Sequence, residues 1–125
     1  MTDLTIKGTA TTPEINFNPS SGILKMSGRA YSSDINIFYK TLDAWLDEYL
    51  SNPCPVTTVE LRMDYFNSIF SKLLLVFLEK CKTVIQKDKT LLLKWYLHEE
   101  DIDTVDDISR ISRIIKFPIE PVKFS

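Results

Sequence analysis

Between Val59 and Leu78 the sequence changes its period, and that change restricts the folds open to the chain. Val59, Leu61, Met63 and Tyr65 alternate with Glu60, Arg62 and Asp64, which predicts a strand with one buried and one polar face. After a short turn at Asn67-Ser68 comes an unbroken apolar run, Leu73 to Leu78. It is too long without turn residues for a second strand and suits a buried helix. Ser68 thus stands where strand gives way to helix, as the predicted N-cap. Its hydroxyl can accept a hydrogen bond from an unpaired backbone N–H, and the helix dipole favours negative charge there. A phosphoryl group on that oxygen would meet a ready anion site. Ser71, one turn on, can support the cap or carry the modification instead.

With 125 residues, 44% hydrophobic and 26% charged, the chain is expected to fold as one soluble domain, 1–125, around a single core. A net charge of -2 argues against binding nucleic acid by broad phosphate neutralisation and makes proteins the expected partners. No apolar run approaches the roughly eighteen residues of a membrane span, and Met1-Thr2-Asp3 lacks the basic and apolar regions of a signal peptide. The expectation is a cytoplasmic protein without membrane insertion. Cys54, between Pro53 and Pro55, and Cys81, on the apolar helix, have no metal-ligand spacing and read as reduced structural thiols.

From the N-terminus, Leu4 to Lys7 suits a short edge strand. Glu14 to Asn18 and Ile23 to Ser27 alternate around the turn Pro19-Ser20-Ser21-Gly22, predicting an antiparallel hairpin, and Gly28 closes this meander. Ser32-Ser33-Asp34 starts a helix. Its apolar stripe is Ile37, Phe38, Leu42, Trp45, Leu46, Tyr49 and Leu50, with Lys40, Asp43, Asp47 and Glu48 opposite, and Asn52-Pro53 ends it. After the central strand and helix, Leu91 to Leu97 alternates again. Asp101 to Arg113 follows as an acidic helix, and Ile114 to Phe117 as a last extended piece. The expected class is α/β: a two-layer sandwich whose mixed sheet begins with the antiparallel hairpin. It continues through two parallel strand-helix-strand crossovers, with helices mainly on one face. Polar outward positions at Glu14, Asn16, Lys25, Glu60, Arg62 and Lys94 leave the other face at least partly in water.

Little in the sequence suggests catalysis. His98 is the lone histidine and reads as a strand-end residue, no nucleophile motif is present, and Gly8, Gly22 and Gly28 are scattered rather than gathered in a phosphate loop. No cofactor or metal is expected. The acidic run Glu99, Glu100, Asp101, Asp103, Asp106 and Asp107 fails the calcium-loop pattern at Val105 and reads as a solvated helix entry. Lys72, Lys80, Lys82, Lys87, Lys89 and Lys94 make the preceding segment basic; the split can orient a partner or simply mark two solvated faces.

The segment Glu60-Leu61-Arg62-Met63-Asp64-Tyr65-Phe66-Asn67-Ser68, continued by Ser71-Lys72 and an apolar helix, resembles the SiaC family of bacterial regulatory phosphoproteins. So do Gly8-Thr9-Ala10-Thr11-Thr12-Pro13-Glu14, the Gly28-Arg29-Ala30-Tyr31 turn, Lys94-Trp95-Tyr96 and Ile114-Ile115-Lys116-Phe117-Pro118. The resemblance implies a STAS-like fold, as in anti-anti-sigma factors, and a non-enzymatic partner switch. It also implies a serine/threonine protein kinase that modifies the protein and a PP2C-type phosphatase that restores it. The unmodified form would bind and activate a diguanylate cyclase, linking it to cyclic di-GMP and biofilm formation. The family's acceptor is commonly a threonine after the asparagine, and the matching residue is Ser68. The contact surface is expected to comprise Phe66, Asn67, Ile69, Phe70, Ser71 and Lys72, with Ile69 and Phe70 as apolar anchors. The competing expectation is a small-ligand or enzymatic domain on the open sheet face, with Arg62, Asp64, Lys94 and Tyr96 converging in a cleft.

Overall fold

The structure, a computed structural model, describes residues 1–125. Alternating stretches form six strands of one sheet: β1 (Leu4–Ile6), β2 (Glu14–Asn18), β3 (Ile23–Ala30), β4 (Val56–Phe66), β5 (Thr90–His98) and β6 (Glu120–Phe124). They lie side by side in chain order. The pairs β1–β2 and β2–β3 are antiparallel, and β3–β4, β4–β5 and β5–β6 are parallel. The parallel strands are joined by α1 (Ile35–Ser51), α2 (Ser68–Cys81) and α3 (Ile102–Ile115), with a 3-10 turn at Lys82–Lys87. Every crossover steps the same way along the sheet, so right-handed connections bring all three helices to one face. The expected two-layer sandwich is therefore observed, with a third crossover through α3.

The covered face carries Ile15, Phe17, Leu24, Met26, Val59, Leu61, Leu91, Leu93, Trp95 and Leu97, all buried. Burying a side chain of this size contributes about 1.5–3 kcal/mol. The Trp95 indole N–H lies in this core without an acceptor. Across the uncovered face, Asn16, Lys25, Glu60, Lys94 and Glu120 stand in one register row. Charges of alternating sign on neighbouring strands let that face remain in water.

Several boundaries differ from the sequence expectation, each for a local reason. β3 runs on through Gly28 to Ala30, and its pairing with β4 shifts at Gly28/Arg29, so that Gly28 faces Met63 and Arg29 faces Tyr65. Asp64 is the extra residue of this bulge. Beyond it the alternation reverses: Tyr65 turns to solvent, 53% exposed, and Phe66 turns inward onto Trp95 at a ring separation of 5.9 Å. In α1 the buried stripe is Ile35, Tyr39, Leu42, Trp45, Leu46 and Tyr49, whereas Ile37 is 66% exposed. Asp43 and Asp47 do not face away from the neighbouring helix, because both hold Lys80 of α2 at 2.6 Å. The Ile114–Phe117 piece is not a strand. Ile108, Ile111 and Ile115 recur at helical spacing and are buried, so α3 continues to Ile115 and ends on left-handed Lys116 (φ 55°). The last strand begins only after Pro118, and as a sheet edge it tolerates Pro121.

Candidate functional site

Asn67, not Ser68, caps α2. Its backbone is extended and its Oδ1 accepts the Phe70 N–H at 3.0 Å. The helix therefore begins one residue earlier than a Ser68 cap would require, and Ser68 is its first residue. Its hydroxyl is left out of the cap, and the residue is exposed. No acidic residue occupies the first turn of α2. The positive end of the helix is therefore not neutralised from within.

The expected contact residues divide by depth. Ile69 is 48% exposed and Lys72 is exposed, while Phe66 and Asn67 are half-buried. Phe70 is 1% exposed and packs against Phe66 at 6.1 Å, so it belongs to the core and cannot anchor a partner in this conformation. Ser71 is also buried, at 8% exposure, which makes it a poor acceptor for a modifying enzyme.

Phe66, Asn67, Ser68, Ser71, Lys72 and Leu75 line one side of a groove of about 450 Å³, and Asp107 and Arg110 of α3 line the other. Arg110 donates to Asp107 at 3.2 Å across one helical turn. Lys72 has no acidic partner within 4 Å; the ion pairs of the preceding basic segment involve Lys80 and Lys82 instead. Lys80 is held charged by hydrogen bonds to Asp43 and then Asp47, which raise its pKa. Lys82 donates to the Ile115 carbonyl at 2.6 Å and lies 3.7 Å from Glu79. Lys80 and Lys82 of that basic run therefore tie helices together, whereas Lys72 lines the groove unpaired, opposite an Arg110 held by Asp107. Asp107, expected only as part of a solvated helix entry, and Arg110 are not expected at this site from the sequence. Their spacing suggests a mutual pair, but nothing in it says which helix they face.

The open sheet face does not assemble the competing site as expected. Arg62 and Tyr96 line a depression of about 330 Å³ with Glu14, Asn16, Lys25, Ser27 and Glu60, while Asp64 and Lys94 stand outside it. The Arg62 guanidinium lies over the Phe124 ring at 4.2 Å. His98 Nδ1 accepts the Glu100 N–H at 3.2 Å, an ordinary strand-end contact. Cys81 is fully buried, which pushes its thiol up to about 12, and Cys54 donates to the Pro19 carbonyl at 3.1 Å. Neither thiol is disulfide-bonded. No three or more His, Cys, Asp or Glu side chains are grouped to hold a metal ion, and no helix is long and apolar enough to cross a membrane.

Residues 6–124 match the family model described as SiaC family regulatory phosphoprotein. The chain belongs to the SiaC family. An uncharacterised protein of Pseudomonas aeruginosa is 28% identical over 97 residues, covering 77% of this chain and 76% of that one. Apo-SiaC from Pseudomonas aeruginosa superposes with a TM-score of 0.86 at 23% identity, covering 98% of this chain and 99% of that chain. SiaC from the same organism, bound as activator to the diguanylate cyclase SiaD, superposes with a TM-score of 0.90 at 21% identity. That match covers 98% of this chain and all of the other. At these identities the solved structures establish the shared fold. The family model supplies the assignment to SiaC-type regulatory phosphoproteins.

Proposed function

We propose that this SiaC family protein is a cytoplasmic, non-enzymatic partner switch. Its unmodified form docks onto a signalling target such as a diguanylate cyclase, and phosphorylation of Ser68 releases that target. The supporting observation is the exposed Ser68 hydroxyl beside a groove lined by Lys72 and Arg110, outside the helix cap and free for modification. Ile69, exposed next to it, is the apolar anchor of the docking surface, and Lys72 contributes charge. Likeness to the activator bound to SiaD supports the choice of target class.

A serine/threonine kinase would transfer the γ-phosphoryl group of a nucleoside triphosphate to the Ser68 oxygen. An O–P bond forms as the β–γ anhydride bond breaks, the hydroxyl proton leaves to solvent, and the nucleoside diphosphate departs. A PP2C-type phosphatase would use water to restore the hydroxyl and release inorganic phosphate. The phosphate adds about 1.5 to 2 negative charges to the contact surface. A hundredfold loss of affinity needs only about 2.7 kcal/mol. One poorly solvated charge in an interface can supply that.

The test combines peptide mass spectrometry after incubation with the kinase and ATP with binding of the cyclase to wild type, Ser68→Ala and Ser68→Asp. Modification at Ser68, retained binding by the alanine variant and weakened binding by the aspartate variant are expected. Equal binding by all three overturns the reading.

A further inference from the structure

We propose that phosphoserine at position 68 is gripped within its own chain by Lys72 and Arg110, across the groove between α2 and α3. The modified residue itself rests on the switch reading above; the grip is a separate claim about where its phosphate goes. Ser68 and Lys72 are four residues apart on one helix and so share a face, and Arg110 reaches the same groove from the other helix. The charged groups lining it are Lys72 from α2 and Asp107 and Arg110 from α3, so cations outnumber anions before modification.

Arg110 is available for exchange. Its pair with Asp107 joins two side chains of 44% and 35% exposure, a solvated contact of the weak kind. A phosphate offers more charge than a carboxylate and suits the planar guanidinium fork, so Arg110 passes from Asp107 to the phosphate. Ser71, which also lines the groove, adds a hydroxyl donor beneath it. The phosphate then occupies the groove and joins α2 to α3, instead of projecting into solvent. Release of a partner follows from filling the groove as well as from added charge.

The test uses full-length protein with phosphoserine installed at position 68 during translation, so that no kinase is needed. Phosphorus NMR then follows the second ionisation of the phosphate, ordinarily near pH 6. In otherwise wild-type protein this ionisation is expected about half a unit or more lower, as nearby cations favour the dianion. Arg110→Gln and Lys72→Gln should each move it back towards the ordinary value, and Asp107→Asn should move it lower still. An unshifted ionisation, or a lowered one that survives both glutamine substitutions, overturns the grip and leaves the helix terminus as the sole influence. Failure of the kinase to modify Ser68, or undiminished partner binding by phosphorylated protein, would instead remove the switch reading and leave this measurement standing.

Discussion

The helices α2 and α3 start alike and are charged in opposite ways. Each follows a parallel strand, and each is capped by an Asx side chain accepting the N–H of its third residue. Asn67 Oδ1 takes Phe70 at 3.0 Å, and Asp101 Oδ1 takes Thr104 at 2.9 Å. Position by position the two then part. Ser68, Ile69 and Phe70 open α2; Ile102, Asp103 and Thr104 open α3. At α3 the cap is itself charged and Asp103 follows, so the dipole is already satisfied by residues in the chain. The neutral cap of α2 leaves its positive end open, with the exposed Ser68 beside it. One terminus carries its anion permanently; the other carries none.

Four experiments press on this comparison. The largest effect is expected at the third residue of each helix. Phe70→Ala should lower stability by about 3–5 kcal/mol in denaturant titration, because a buried ring leaves a cavity. Thr104→Val, which exchanges the hydroxyl bonded to Asp101 for a methyl group of similar size, should cost about 1 kcal/mol. Next comes binding. Phosphoserine at position 68 should weaken docking of the cyclase about a hundredfold by calorimetry, equivalent to about 2.7 kcal/mol. A charge added at Ile102, at the start of α3, should leave docking unchanged.

Smaller effects separate the caps themselves. Asn67→Ala and Asp101→Ala should each cost about 1 kcal/mol at neutral pH. Their pH dependence should differ. The side-chain and then the backbone hydrogen bond from Thr104 lower the Asp101 pKa. A carboxyl with a lowered folded-state pKa contributes stability above its unfolded value and loses it as pH falls through the folded one. The cost of Asp101→Ala should therefore shrink below the ordinary carboxylate range, while that of Asn67→Ala stays constant, as pH-dependent unfolding curves would reveal. The smallest change is expected for Ile69→Ala, within about 0.5 kcal/mol of wild-type stability. Its partner affinity should nevertheless fall, since its side chain is 48% exposed and adjoins Ser68.

Much of this could be read from the chain before folding. The alternations at Glu14 to Asn18, Val59 to Met63 and Leu91 to Leu97 located strands, because a strand buries every second side chain whatever its neighbours are. Ile114 and Ile115 have strand-favouring side chains, which alone suggest an extended piece; burial of Ile115 beside Ile108 and Ile111 makes the segment helical and leaves Ile114 on the exposed side. Asn67 and Ser68 are both residue types that cap well, and only backbone geometry gives the cap to Asn67.

Sequence by itself determined the order of elements, the covered and uncovered faces of the sheet, and a hydroxyl at the start of α2, all consequences of short-range periodicity. Tertiary structure alone decided that the Asp64 bulge turns Tyr65 out and Phe66 in, that Phe70 is core while Ile69 is surface, and that Arg110 lines the same groove as Lys72. The physical reason is distance along the chain. Local spacing sets which side of an element a residue occupies, but which other element comes to face it depends on how the whole sheet stacks its helices.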